Sequence, residues 1–115
     1  MSGRTLYCLG EAWLELESPA PLSSAEAFRP RVGGSAAALA LAYAALGGRA
    51  ALLGQLGEDA FGHRIADALA DAGVDVCRLC FTSRAPTPLL FRGGGGALPC
   101  RTRSADLLYS AGQLG

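Results

Sequence analysis

The chain has 115 residues, of which half are apolar and 17% are charged, so we expect a packed domain, or a piece of a larger one, and no extensive disorder. Ten basic and ten acidic side chains cancel, which argues against the basic surface of a nucleic-acid-binding protein. No apolar run reaches the roughly 18–20 residues of a membrane span, and the N-terminus leads directly into a strand-like run with no signal peptide. We therefore expect a cytoplasmic protein with neither a nucleic-acid nor a membrane partner.

Short strands and a loop are predicted for the first thirty residues. Thr5 to Leu9 is an apolar run closed by Gly10, and Trp13 to Leu16 is a second run. These runs are either paired strands or successive short strands. Residues 17–31 contain three prolines and predict a loop with at most one short extended piece.

An Ala- and Leu-rich helix is predicted from Ser35 to Leu46. Ser35 is the candidate N-cap, and Gly47 and Gly48 end the helix. Because nearly every face of this helix is apolar, we expect most of its surface to be buried.

A strand, a second helix and a third strand follow. Ala50 to Leu53 has the apolar pattern of a buried parallel strand. The second helix extends from about Ala60 to Ala72 and is ended by Gly73. Its predicted apolar stripe is Phe61, Ile65, Leu69 and Ala72, and its predicted solvent side is Arg64, Asp67 and Asp71. Val74 to Phe81 returns to strand character, so the succession predicts an α/β fold with right-handed crossovers.

The last part of the chain predicts a hairpin. Thr87 to Arg92 and Leu98 to Thr102 flank the run Gly93–Gly96, which lacks the Lys-Ser/Thr of a phosphate loop and is better explained as a hairpin tip. Ser104 to Leu114 could begin a further helix. Two crossover helices make about half of a doubly wound sheet, so we expect a fragment or a truncated reading frame.

The four cysteines, Cys8, Cys77, Cys80 and Cys100, are predicted to be free thiols in a reducing compartment. Cys77 and Cys80 have the CxxC spacing of a zinc or redox site. A structural zinc site needs four ligands, and His63 is the only histidine in the sequence. We therefore predict no metal site and keep a thiol or zinc module as the weakest alternative.

Gly33 and Gly34 precede the first helix and are the main candidate for a binding site. Two glycines let the backbone approach a ligand, and the helix start offers unpaired N–H groups. The sequence that follows does not supply the GxGxxG of a dinucleotide site. From these residues alone, a ligand-free tight turn and a polyol or anion site both remain open.

Several further segments of the sequence form recognisable motifs in a fixed order. They are Gly10–Glu15, a glycine and alanine signature at Gly33, Gly34, Ala36, Ala40, Gly47 and Gly57, the run Gly57–Gly62, the turn Ala72–Asp75, and Arg101–Leu108. Over about residues 5–114, these segments resemble ribokinase-like (PfkB-type) carbohydrate kinases, and fructokinases in particular. The resemblance implies the N-terminal part of a three-layer α/β/α fold, incomplete here, with a small β lid at about residues 12–32 and 87–103.

The resemblance also implies which residues bind substrate. Glu15 stands where the family has an Asp that binds sugar hydroxyls, Gly33 and Gly34 let the sugar lie against the backbone, and Arg101 reaches over it from a lid strand. Ala38 occupies the position of a signature Asn, so a hydroxyl-binding amide is missing. Glu15 is one methylene longer than Asp, which shifts the carboxylate by about 1.5 Å.

By family, the implied reaction is the ATP-dependent phosphorylation of a sugar hydroxyl, with fructose first and 2-keto-3-deoxygluconate second. ATP and Mg²⁺ would serve the parent enzyme, with a monovalent cation as an option, and a homodimer through the β lid is a further option. The family's catalytic Asp and ATP site are absent from this sequence, so no catalytic residue is assigned. The alternative is a non-catalytic fragment or pseudoenzyme that acts at most as a sugar-binding or dimerisation module.

Overall fold

A parallel sheet and a second, mixed sheet make up the part of the chain that the computed structural model describes, residues 4–110 and Gln113. The strands are β1 (Thr5–Leu9), β2 (Trp13–Glu17), β3 (Arg29–Gly33), β4 (Arg49–Gly57), β5 (Val74–Asp75), β6 (Leu79–Thr82), β7 (Leu89–Gly93) and β8 (Gly96–Cys100). The helices are α1 (Ser35–Ala45) and α2 (Ala60–Asp71), with 3-10 turns at Leu22–Ser24 and Ala105–Leu108.

The parallel sheet is built around β4, the longest strand. β1 pairs with one edge of β4, and β5 and β6 pair with its first and second halves, all of them parallel. Every residue of β4 after Arg49 is buried, as expected for a strand of a parallel sheet that is covered on both faces. The predicted α/β succession is confirmed, with α1 on β1 and β4, and α2 against β4 and β5.

The second sheet has the strand order β3-β2-β7-β8. β2 is antiparallel to β3 and parallel to β7, while β7 and β8 form the predicted hairpin. Its tip lies at Gly93–Gly96, so the glycine run is a turn. All five residues of β8 are exposed.

Three predictions about the strands and loops are refined. β1 and β2 are successive strands that belong to different sheets. The stretch at residues 17–31 contains a 3-10 turn and then enters β3. The predicted strand Val74–Phe81 is interrupted by a turn at Cys77 and Arg78, because the Asp75 carboxylate accepts a hydrogen bond from the Cys77 N–H and closes a local turn.

Two predictions about α1 were wrong. Its N-cap is Gly34, and Ser35 is the first helical residue, whose hydroxyl donates to Glu11 Oε1 at 3.1 Å. The helix is also less buried than expected. Ala36, Ala37 and Ala40 are buried, whereas Leu39 is 53% exposed, because the described elements pack against one side of the helix only.

The apolar stripe of α2 was predicted in part. Ile65 and Leu69 are buried, and Arg64, Asp67 and Asp71 lie in solvent as expected. Phe61 and Ala72 are exposed, because Gly62 and Ala66 complete the buried face at i, i+3, i+4 and i+7.

The end of the described chain carries a short 3-10 turn at Ala105–Leu108 where a helix from Ser104 to Leu114 was considered. Residues 111, 112 and 114 of that prediction lie outside the described residues. Within the described part, no helix has the length and hydropathy to cross a membrane. The four cysteines are free thiols, as predicted.

Candidate functional site

A cleft of about 510 Å³ lies between β2, β3 and the start of α1. Its walls are formed by Trp13, Glu15, Arg31, Val32, Gly33, Gly34, Ser35, Ala38 and Leu41. Four of the five residues predicted to bind substrate therefore meet in one place, although 23 positions separate Glu15 from Ala38. The cleft combines an aromatic ring, a carboxylate, a guanidinium and exposed backbone.

Glu15 lies in the middle of β2 with only 5% of its surface exposed. Its Oε1 accepts a hydrogen bond from Trp13 Nε1 at 3.1 Å, and its Oε2 lies 3.0 Å from Arg31 Nη2 and 3.4 Å from Arg92 Nε. Burial acts to raise the pKa of Glu15, but the hydrogen bonds from Trp13 and Arg31 and the positive charge of Arg92 outweigh it and hold that pKa below its ordinary value. Glu15 is therefore a carboxylate at neutral pH.

The two glycines are required for different reasons. A Cβ on Gly33 would lie 2.5 Å from Glu15 Oε1 and 2.6 Å from Trp13 Nε1, so any side chain there would displace the Trp13–Glu15 pair. Gly34 has a φ of +101°, which disfavours other residues, and a Cβ there would lie 2.5 Å from the backbone oxygen of Glu11.

Ala38 is exposed at the border of the cleft, in the first turn of α1. Its N–H makes the first bond of the helix, to the Gly34 oxygen at 2.8 Å. The N–H groups of residues 35–37 precede that bond and have no acceptor in a preceding turn. The methyl group of Ala38 lies at the border of the cleft and offers no hydrogen-bonding group there.

Arg101 does not lie on a lid strand as predicted. β8 ends at Cys100, because the chain leaves the sheet to dock Ser104 and Ala105 against the parallel sheet. The Arg101 guanidinium lies 5.2 Å from the centre of the Trp13 ring and is paired with the Asp106 carboxylate. Arg101 lines a neighbouring cleft of about 390 Å³ with Gly10, Glu11 and Asp106, and reaches the first cleft only through Trp13.

Sequence reasoning missed Trp13, Arg31 and Arg92 as site residues. Arg31 is the cross-strand partner of Glu15 in the β2–β3 register. Opposite charges at facing positions of paired strands could have signalled this contact. Nothing in the local sequence indicated that β7 would bring Arg92 to the same carboxylate, because β2 and β7 are joined only by long-range parallel pairing.

Neither the glycine turn nor a cluster of possible metal ligands provides a nucleotide or metal site among the described residues. The Gly93–Gly96 turn packs against residues 19–22 and has no helix behind it to cradle a phosphate. Within residues 4–110 and Gln113, no three His, Cys, Asp or Glu side chains lie together as metal ligands would. We therefore assign no reaction step of ATP or Mg²⁺ to these residues.

Comparison with known proteins identifies the family. The profile of the pfkB family of carbohydrate kinases matches residues 4–96. The chain belongs to this family. The α/β architecture accordingly corresponds to the ribokinase-like fold of pfkB kinases, as the resemblance predicted.

Three pfkB relatives set the scale of the similarity. The chain is 42% identical over 98 residues to fructokinase-1 of Zea mays, covering 81% of this chain and 30% of that protein. It is 33% identical over 113 residues to 2-dehydro-3-deoxygluconokinase of Thermoproteus tenax, covering 96% and 34%. The crystal structure of fructokinase with bound ATP from Xylella fastidiosa superimposes with a TM-score of 0.86 at 36% identity, covering 95% of this chain and 34% of that one. The chain thus spans about a third of the length of these pfkB proteins.

Proposed function

We propose that this chain forms the sugar-binding part of an ATP-dependent carbohydrate kinase, with fructose as the first candidate substrate. The observation that carries the proposal is the cleft in which Glu15, Gly33, Gly34 and Ala38 converge. The fructokinase relatives support fructose over other sugars. Glu15, Gly33, Gly34 and Ala38 would contact the sugar directly, and Arg101 would act from its position over Trp13.

Each group in the cleft has a role suited to a polyol. The Trp13 ring offers an apolar face for the C–H groups of a sugar. The second lone pair of Glu15 Oε1 accepts a hydroxyl hydrogen, because Trp13 occupies only one acceptor position there. The glycines allow backbone contact, and closure of the second sheet over the sugar would exclude water from the acceptor hydroxyl.

The phosphoryl-transfer half of the reaction is assigned to residues outside this chain. ATP with Mg²⁺ would supply the phosphoryl group and stabilise its charge, and a base would take the proton of the attacking hydroxyl. The residues described here orient the acceptor only. We therefore propose that the chain by itself binds sugar and does not phosphorylate it.

A sugar acid is the second candidate substrate. Arg31 lines the cleft, its side chain is 64% exposed, and its ion pairs with Glu15 and Glu17 both use Nη2. The remaining N–H groups of a guanidinium can bind a carboxylate. The 2-dehydro-3-deoxygluconokinase relative also supports this substrate class.

A non-catalytic module is the alternative from another class, and Ala38 favours it, because the methyl group gives a hydroxyl no partner. In that case the chain would bind sugar weakly, or dimerise through the second sheet. Strand β8 is exposed along its whole length and would be the pairing edge of such a dimer. Sedimentation velocity of the wild-type chain tests the dimer, and a monomer at all concentrations would contradict it.

Trp13, the only tryptophan of the chain, gives a direct binding assay. Titration with fructose, 2-dehydro-3-deoxygluconate and ribose should change Trp13 fluorescence, with fructose effective at the lowest concentration. No saturable change with any of the three would contradict the sugar-binding proposal. A coupled assay with ATP should detect no phosphorylation by this chain, and turnover would contradict our assignment of catalysis to residues elsewhere.

Ala38→Asn sharpens this test. The added amide would lie at the border of the cleft, and we expect roughly tenfold tighter fructose binding from one new hydrogen bond pair. Ala42→Asn is the matched control, since it lies one turn further along α1, is exposed, and does not line the cleft. Equal effects of the two variants would contradict the assigned position of the sugar.

A further inference from the structure

The segment Pro86–Pro88 connects the parallel sheet to the second sheet and leads into β7. Exposed loops flank most strands of this chain, but Thr87 is 4% exposed and Pro88 is fully buried. A connecting segment is seldom buried, because its backbone polar groups must then find partners inside the protein. The partners of this segment come from three separate parts of the sequence, residues 57–59, Ala105 and Leu14.

Asp59 supplies the first set of partners. Its Oδ2 accepts the Thr87 N–H at 3.0 Å, and its Oδ1 accepts the Thr87 hydroxyl at 2.8 Å and the N–H of Gly62, in the first turn of α2, at 2.8 Å. Burial acts to raise the pKa of Asp59, but the hydrogen bonds from Thr87 and Gly62 outweigh it and lower that pKa. One carboxylate thus caps α2 and holds the connecting segment.

Two glycines make room for these contacts, and a side chain at either position would clash with them. The Gly57 N–H donates to Thr87 Oγ1 at 2.9 Å. A Cβ on Gly57 would lie 2.3 Å from Asp59 Oδ2, and a Cβ on Gly62 would lie 2.1 Å from the Gly57 oxygen. The spacing of Gly57, Asp59 and Gly62 is therefore explained by the close packing of Thr87 against them.

The second set of partners comes from the other side. The Ala105 N–H donates to the Pro86 oxygen at 2.7 Å, and the Ala105 oxygen accepts from Gln55 Nε2, on β4, at 2.9 Å. Beyond Thr87, the Pro88 oxygen accepts the Leu14 N–H at 3.1 Å. The connection is therefore fixed to α2 and β4 at one end and to β2 at the other.

We propose that Asp59 and Thr87 are positioning residues that anchor the start of β7, and the paired strand β2, to the parallel sheet. β2 follows β7 through their parallel pairing and carries Trp13 and Glu15 to the cleft. The contact therefore acts on the site through β7 and β2, and neither Asp59 nor Thr87 lines the cleft. The positioning role itself does not depend on the proposed function; only its expected effect on sugar affinity does.

Hydrogen-exchange mass spectrometry of the complete chain tests the proposal without reference to any ligand. Thr87→Val keeps the shape of the side chain and removes the hydroxyl, so the Gly57 N–H and Asp59 Oδ1 lose a partner. We expect exchange in peptides from β2 and β7 to rise roughly tenfold, as for loss of a buried hydrogen bond, while β4 stays protected before Gly57, whose own N–H loses its acceptor. Thr87→Ser should restore the wild-type pattern.

Thr82→Val is the matched control. Thr82 ends β6, and its hydroxyl accepts the Arg84 N–H at the start of the β6–β7 connection, away from Asp59. It should leave exchange in the second sheet unchanged. If Thr87→Val does not yield folded protein, Asp59→Asn replaces it. The amide NH2 of Asn is not an acceptor, so at least one of the hydrogen bonds from Thr87 and Gly62 is lost. Unchanged exchange in β2 and β7, or an equal rise in the part of β4 before Gly57, would overturn the proposal.

A measurement of fructose affinity distinguishes the positioning role from the proposed sugar-binding function. Weaker binding by Thr87→Val with recovery in Thr87→Ser would support the positioning role at the site. If the wild-type chain binds no sugar while Thr87→Val still loosens β2 and β7 selectively, the proposed function fails and the positioning role stands.

Discussion

The two sheets of this chain are stabilised by different forces. β4 buries eight consecutive residues, and its aliphatic side chains, such as Leu52 and Leu56, form part of the hydrophobic core. The second sheet buries few large side chains. Glu15 is held there by two partly exposed arginines, and an edge-to-face contact of Phe28 with Phe91 lies nearer the surface. Burial of apolar surface is insensitive to pH, whereas charge pairing is not, so the second sheet should respond to conditions that leave the first unchanged.

The largest expected effect is in the parallel sheet. Leu52→Ala removes a side chain with no exposed surface and should lower the free energy of unfolding by about 3 kcal/mol through lost burial and a cavity. Leu98→Ala is the matched change in β8, where Leu98 is 54% exposed, and should stay within about 0.5 kcal/mol of wild type. Urea unfolding followed by circular dichroism measures both. Similar losses would contradict the contrast between the sheets.

The next effect is steric. Gly33→Ala places a Cβ against the Trp13–Glu15 pair and should cost about 2 kcal/mol of stability, as overpacking does. Its Trp13 fluorescence should also differ from wild type. Gly96→Ala is the control, because no atom lies within 4 Å of the added Cβ and its φ is ordinary. A Gly33→Ala variant with wild-type stability would contradict the tight packing of the pair.

A smaller effect is the pH dependence of the stability that Glu15 contributes to the second sheet. The pKa of Glu15 is lowered on folding, so its stabilising contribution is complete above its unfolded pKa of about 4.3 and is lost as the pH falls through the lower folded value. Glu15→Gln should cost about 1 kcal/mol at pH 7, because its arginine partners are partly solvated, and nothing below the folded pKa.

Urea titrations at pH 7 and near pH 3, followed by Trp13 fluorescence, compare Glu15→Gln with wild type. Glu17→Gln is the control, since Glu17 is more exposed and contacts Arg31 only at 3.2 Å. A cost of Glu15→Gln that is equal at both pH values would show that charge is not what Glu15 contributes.

The smallest effect concerns His63, whose ring stacks on Phe81 with centroids 4.8 Å apart. The hydrogen bond to Glu58 raises the pKa of His63, so the stability it contributes is present below its ordinary pKa and lost as the pH rises through the folded value. Glu58→Gln should move the pKa of His63 back toward its ordinary value, as measured by NMR. Both side chains are about half exposed, so the unfolding midpoint should not change measurably, and an unmoved His63 titration would contradict the pairing.

The sequence predicted what depends on neighbours within one element. The hairpin at Gly93–Gly96, the ends of α2 and the buried strand β4 were all confirmed. Burial around α1 was not predicted well, because a uniformly apolar helix does not indicate which side faces the sheet. Leu39 and Phe61 are exposed for reasons that lie in the packing of other elements.

The sequence by itself determined the α/β succession, the family motifs and the candidates Glu15, Gly33, Gly34 and Ala38, because turn chemistry, periodicity and motif spacing are local properties of the chain. Only the tertiary structure decided that β1 and β2 belong to different sheets, that Arg31 and Arg92 hold Glu15, and that Arg101 leaves the strand to lie over Trp13. These outcomes depend on strand pairing and side-chain contacts between residues far apart in sequence, and even the opposite charges of Glu15 and Arg31 become informative only once the strand register is known.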